Sequence, residues 1–207
     1  IYSVNDRSKT QSSQIFYIID TVSEAILSCS QVEYDYNKYG PDKELHKSSF
    51  QRVSPYQLIL HNQRYYLMGY SSYWQQMVYH RLDHITNIRI SERSAVKITE
   101  LSGYESGINY KNITASMPYM FSDPPQRVTF LINEKAVDHV VDWFGRDVKI
   151  EKSEREGYFK ISLTVSLGAM HYWALQFSES CEVLSPPELR ERIKNTLKSS
   201  LEKYEKT

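Results

Sequence analysis

The sequence predicts an α+β chain: a small antiparallel β-barrel preceded by a helix, then a ferredoxin-like βαββαβ module. Three observations carry this. An amphipathic helical stripe occupies residues 14–28. Several short segments of period two crowd into residues 31–90, too closely spaced for helices between them. Beyond Pro124-Pro125, strand and helix periods alternate in the order βαββαβ, with a closing helix.

The elements follow in order. Residues 1–13 are mostly polar and read as a leader. Ile15, Ile18, Ile19, Val22 and Ile26 then keep the i, i+3, i+4, i+7 rule from Gln14 to Ser28, with Ser13 placed as an N-cap. Gln31 to Tyr36 alternates, with Val32, Tyr34 and Tyr36 on one face. Asn37 to Ser49 is polar and contains Gly40-Pro41, which predicts a loop. Short strands are expected at 50–53, 57–61, 65–71, 77–82 and 85–90, with His61-Asn62-Gln63 as a hairpin turn. A bent sheet of such strands protects its edges best by closing on itself.

Gly103, Gly107, Pro118 and Asp123-Pro124-Pro125 interrupt residues 91–125, which read as a connector. The expected division is therefore 14–122 for the helix, barrel and connector, and 123–207 for the second domain. There, Arg127–Ile132 is a strand and Glu134–Phe144 a helix stopped by Gly145. Val148–Glu151 and Tyr158–Ser166 are strands, Ala169–Phe177 a helix and Glu182–Leu184 a strand. Pro187 opens a last helix at its first turn.

Composition narrows the function classes. A formal net charge of +0 over 207 residues gives no global attraction to nucleic acid, though a local basic patch is compatible with it. The 41% hydrophobic and 24% charged fractions are those of a globular chain. Seventeen tyrosines are the unusual count; tyrosine suits binding surfaces as well as cores. Cys29 and Cys181 make no metal-binding spacing and read as buried free thiols of a reducing cytoplasm. No apolar run reaches the ~18 residues of a membrane span. The chain opens on Ile1 rather than Met and reads as part of a longer protein.

Motifs for catalysis are missing. The six histidines form no ligand spacing. His80 and His84 lie on a segment read as strand, where i and i+4 stand about 13 Å apart, too far to share a metal. There is no GxSxG, P-loop or GxGxxG. The expectation is a protein that is not an enzyme and needs no cofactor or metal.

The polar chemistry concentrates in Gln63–Tyr70 and Tyr79–Ile85. Alternation puts Tyr65, Leu67 and Gly69 on one face and Tyr66, Met68 and Tyr70 on the other. Arg81 shares a face with Tyr79 and offers a planar fork of donors to a phosphate or carboxylate. Two readings stand at this point: a tyrosine-rich core with Arg81 paired to Asp83, or a polar binding site.

A resemblance bears on that choice. Tyr65-Tyr66-Leu67 stands where the WYL domain carries Trp-Tyr-Leu. Val53-Ser54-Pro55-Tyr56-Gln57-Leu58 resembles the segment ahead of that motif, and His80-Arg81-Leu82-Asp83-His84-Ile85 the segment behind it. Met117–Phe121, Trp143-Phe144-Gly145 and Val183-Leu184-Ser185-Pro186 resemble the C-terminal extension called WCX. The resemblance implies an SH3-like (Sm-like) barrel, a βαββαβ-type module and a bacterial transcriptional regulator. It further implies a DNA-binding helix-turn-helix domain ahead of this chain, and a homodimer joined through the C-terminal module. The ligand it implies is a small anionic effector or nucleic acid, held by Tyr56, Tyr65, Arg81 and His84, with Tyr36 and His80 beside them. Tyr65 is expected next to Arg81. Three departures stand out: Tyr65 replaces the tryptophan, His80 the aromatic residue before the arginine, and His84 an arginine, so charge at His84 depends on pH. The alternatives are a direct single-stranded nucleic-acid binder and a purely structural assembly domain.

Overall fold

The computed structural model describes residues 12–109, 113, 119–121 and 123–205. The leader 1–13, apart from the backbone of the first two helical residues, and much of the segment 110–118 lie outside them. The chain divides into two compact units, 1–108 and 109–207.

Unit 1 opens with α1 (Ser12–Leu27), followed by β1 (Ser30–Tyr39), β2 (Leu45–His61), β3 (Arg64–Ser71), β4 (Gln76–Arg81) and β5 (Ile85–Ser94). All neighbours are antiparallel, in the order β4-β3-β2-β1-β5. Ile18, Val22 and Ala25 of α1 are buried against Val32, Tyr34, Val53, Leu67, Val78, Leu82, Ile85 and Ile88. The helical stripe read from the sequence is thus the core face.

Three expectations change. The loop predicted over 37–49 is largely strand: β1 runs to Tyr39 and β2 starts at Leu45. Its polar residues are held by the main-chain ladder, with a register shift after Tyr36. The strands expected at 50–53 and 57–61 form one strand of 17 residues. Pro55 is tolerated because β2 leaves β1 after Val53 and pairs with β3 from Ser54 onward. The missing proline donor therefore falls where β2 changes partners. Third, among the described residues no ladder joins β4 to β5, so the expected barrel is not closed. The two edges are instead linked by a three-residue 3₁₀ turn, Leu82–His84. Joining opposite edges by so short a link requires the sheet to curl.

The β2–β3 turn is the one expected: Asn62 and Gln63 have φ of 47° and 61°, the left-handed pair of a two-residue hairpin. Gly69 is a packing requirement. A Cβ there would collide with Val53 Cγ1 and stand 2.7 Å from the Ser54 carbonyl oxygen.

Unit 2 contains β6 (Pro125–Asn133), α2 (Val137–Phe144), β7 (Lys149–Lys152), β8 (Tyr158–Ser166), α3 (Leu167–Gln176), β9 (Cys181–Ser185) and α4 (Pro187–Glu205). The element order is the βαββαβ-plus-helix order read from the sequence, and the antiparallel sheet runs β7-β8-β6-β9. Alternate residues Val128, Phe130, Ile132, Ile161 and Val165 bury one face against the helices. Trp173 of α3 is fully buried, its ring 5.1 Å from Phe144 and 5.5 Å from Phe130. Asp123 fixes the start of α3, accepting from Ser166 Oγ at 2.8 Å and the Gly168 N–H at 2.9 Å. Both cysteines are free thiols, but Cys29 is exposed, not buried as expected, because it sits in the turn after α1 with φ 50°.

Candidate functional site

The cross-strand register decides which side chains meet. Tyr66 pairs directly with Arg81 and Leu67 with His80. Directly paired residues share a face. Arg81 therefore lies beside Tyr66, and His80 points to the core side with Leu67. The expected placement of Tyr65 beside Arg81 is corrected: Tyr65 pairs with Leu60, shows the opposite face and is 43% exposed.

Arg81 is clamped from its own turn. Its Nε donates to Asp83 Oδ1 at 3.0 Å and its Nη2 to Oδ2 at 2.7 Å. Arg64, on the same face at the start of β3, donates to Asp83 Oδ2 at 3.0 Å. Two guanidinium groups thus share one carboxylate. The cluster holds one net positive charge, and Arg64 remains 42% exposed. Burial alone would raise the Asp83 carboxyl; its hydrogen bonds and attraction to Arg81, with His84 and Arg64, hold it below the usual carboxylate range instead.

Tyr36 and the two histidines line the inner side of this cluster. The Tyr36 ring stacks on His80 with centroids 4.2 Å apart and lies 5.8 Å from His84. Its hydroxyl meets the Arg81 backbone, and burial raises its pKa. His80 Nδ1 shares a 2.7 Å hydrogen bond with the buried Tyr34 hydroxyl. Burial pushes the His80 imidazole down to about 4, so it is neutral at pH 7. His84 donates from Nδ1 to the Asn37 carbonyl at 3.0 Å. Its neutral form therefore carries its lone pair on Nε2, which is buried and has no partner among the described residues. Burial, then the Arg81 charge, lowers the His84 pKa. Asn37 completes the frame, bonding the His84 carbonyl at 2.9 Å and Thr86 Oγ1 at 3.0 Å.

Of the expected site residues, Tyr36, His80, Arg81 and His84 come together. Tyr56 does not join them: its hydroxyl donates to the Val96 carbonyl at 2.8 Å, and burial raises it to about 12. Sequence reasoning missed Arg64 and Tyr66 as members. Alternation shows that Arg64 and Tyr66 share a face, but only the β3–β4 register brings that face to Arg81. No group of three or more metal-ligating side chains occurs among the described residues.

A helix-backed curled antiparallel sheet followed by a βαββαβ unit defines the class: a two-unit α+β chain with its polar cluster at the turn joining the sheet edges. The family follows from the matches. The WYL domain model matches residues 17–90 and the WCX domain model residues 124–201, so the chain belongs to the WYL-domain family. No curated protein matches the chain. Among solved structures, a CRISPR Cas-related protein is similar at 16% identity and a TM-score of 0.55, over 92% of this chain and 53% of that one. Proteasome accessory factor B/C of Arthrobacter aurescens aligns at 13% identity and a TM-score of 0.43, over 96% of this chain and 28% of that one. The first likeness is one of fold. The chain spans about half, or less, of the length of these structures.

Proposed function

We propose that this chain is the sensing region of a WYL-family transcriptional regulator and binds an anionic effector or a nucleic acid at the Arg81 cluster. The observation that carries this is the sharing of Asp83 between Arg81 and Arg64. The cluster keeps a net positive charge beside the phenols of Tyr66 and Tyr36. An incoming phosphate or carboxylate competes with Asp83 for guanidinium donors and meets a bidentate fork. Burial and the Arg81 charge oppose protonation of His84, which supplies shape rather than charge. In this reading the curled sheet is an SH3-like barrel in outline and unit 2 a ferredoxin-like sandwich. A DNA-binding domain elsewhere in the full protein reads the state of the sensor, and two copies associate. Effector binding shifts the population of two arrangements by its differential affinity for them.

The test is calorimetric titration of nucleotides, short oligonucleotides and dicarboxylates into the wild-type chain and Arg81→Ala. The expected result is one ligand class that binds the wild type and loses at least tenfold in affinity in Arg81→Ala. Equal affinity in both would remove Arg81 from the site and end this reading.

A further inference from the structure

Strand β2 changes neighbours in mid-course, and that leaves part of its edge bare. Residues 45–53 pair with β1 only, and Ser54 onward pairs with β3. β3 does not continue beside 45–53, because it ends at Ser71 and turns into β4. No backbone hydrogen bond joins 45–53 to any segment but β1 among the described residues. In an antiparallel pair, alternate residues turn both N–H and C=O away from their partner. A row of unused donors and acceptors thus runs about 27 Å along this stretch. The other sheet edges are obstructed. β4 and β5 are drawn toward each other by the Leu82–His84 link, and Met77, Val78 and Tyr79 of β4 are buried. β7 has only four residues, two of them lysines, a common guard on a free edge. On β9, Arg190 Nη1 donates to the Val183 carbonyl.

Side chains make the bare edge selective. The register shift after Tyr36 leaves Ser48 without a partner on β1, and this bulge brings Lys47 onto the face of Phe50 and Arg52. Phe50 stands opposite Asp35, and Lys47 Nζ reaches that carboxylate at 2.7 Å. Arg52 gives only its Nε to Glu33, at 2.7 Å; its two terminal amines bond nothing among the described residues. Arg89 donates to the other Glu33 oxygen, so this network of three cations and two carboxylates keeps one positive charge in excess. Phe50 lies between Lys47 and Arg52 along the strand and is 50% exposed. In the turn that ends β3, the exposed rings of Tyr73 and Trp74 meet edge to face at 4.7 Å.

We propose that the edge of β2 over residues 45–53 is a strand-addition site, which takes an extended acidic segment of a partner protein. Main-chain pairing supplies the affinity. An apolar side chain beside Phe50, and carboxylates beside Lys47 and Arg52, supply the selection. The added strand occupies the line that β3 leaves at Ser71, with Tyr73 and Trp74 at its end. A second copy of this chain fits less well. Residues 45–53 contain His46, Lys47 and Arg52 and no acid, so two such edges set side by side bring like charges together.

The experiment is fluorescence anisotropy of a labelled twelve-residue peptide alternating glutamate and valine with the full chain, together with amide hydrogen exchange. Wild type is compared with Phe50→Ala, Arg52→Gln and Arg81→Ala, each checked for folding by circular dichroism. Binding is expected to weaken about fivefold or more in Phe50→Ala and in Arg52→Gln. It is expected to stay within about twofold in Arg81→Ala, with the peptide slowing amide exchange in 45–53. The same peptide with lysine in place of glutamate is expected to bind about tenfold more weakly or worse. No binding of the glutamate peptide would overturn the proposal. So would protection that falls outside 45–53, or equal binding of the two peptides. A dimer by sedimentation whose 45–53 amides are protected without peptide would give the edge to a second copy and overturn it as well. Binding lost in Arg81→Ala but unchanged in Phe50→Ala and Arg52→Gln would move the peptide to the Arg81 cluster, overturning this site while leaving the proposed function standing.

Discussion

Tyr66 and Arg81 face each other across the β3–β4 ladder as a directly paired couple, and the Arg81 side chain is turned back onto Asp83 two residues on. The arginine that would meet a ligand is therefore already neutralised from within its own turn. Asp83 acts as a competitor for it. Asp83→Asn is expected to raise the affinity for whichever anion the wild type binds by about three- to tenfold. The cost in stability is about 1 kcal/mol, because charge-assisted bonds to two guanidiniums are weakened. Titration of the same ligand into both proteins checks the first, and urea unfolding the second.

Tyr66 and Tyr65 separate by face, so their phenylalanine variants should separate as well. Tyr66→Phe is expected to weaken anion binding several-fold by removing a hydroxyl beside Arg81. Tyr65→Phe is expected to leave it within about twofold. Calorimetry on the pair is the measurement, and the reverse order would place the ligand on the other face.

Acid should destabilise unit 1 before its carboxylates titrate. His80 has a folded pKa of about 4 against an ordinary 6.5. A depressed folded value means that the unfolded chain binds the proton more readily. The stabilisation is fully present above pH 6.5 and is lost as pH falls toward 4, reaching at most about 3 kcal/mol. His84, shifted the same way, adds to it. The unfolding midpoint should fall between pH 7 and pH 5, and the fall should shrink in His80→Gln. A midpoint flat across that window would show that His80 is not held neutral by burial.

Gly69→Ala should be costly although alanine is small. The new methyl group meets Val53 and the Ser54 carbonyl, and the backbone oxygen cannot swing away as a side-chain tip would. The expected loss is ~1–3 kcal/mol, read from denaturant midpoints. Asp123→Ala in unit 2 should cost about 1–2 kcal/mol, since it removes acceptors from both Ser166 and the first turn of α3.

The two thiols should differ in reactivity. Cys29 is exposed, whereas burial pushes Cys181 up to about 12. A thiol reagent at pH 8 is expected to label Cys29 rapidly and Cys181 only on unfolding, as peptide mass mapping would show.

Periodicity made much of the fold legible. The stripe of α1 and the alternation of β8 face the cores as read. The strand character of 37–39 and 45–49 was hidden because polar residues there are held by main-chain pairing, which leaves no mark on hydropathy. The placement of Tyr65 beside Arg81 rested on the resemblance, and strand register decides it otherwise. The expected strand began at Met77, and β4 begins at Gln76, which pairs with Ser71. Starting one residue later would pair Arg81 with Leu67 and so put it on the face of Tyr65. A single residue in the length of the 72–75 turn therefore reverses the membership of the site. The face of every tyrosine was readable; the register that joins the two strands was not.

The link between the sheet edges carries a consequence of its own. Leu82–His84 is the only covalent path from β4 to β5, and no ladder of main-chain bonds shares the load among the described residues. Asp83 and His84 are two of its three residues, tied respectively to the guanidiniums and to Asn37 of β1. The turn works as a clasp whose catch is made of side chains. A molecule that draws Arg81 off Asp83 loosens that catch and alters how far the rim of the sheet can spread. On the proposed reading of the site, occupancy at a few polar atoms would become a change of curvature, without any strand having to leave its neighbour.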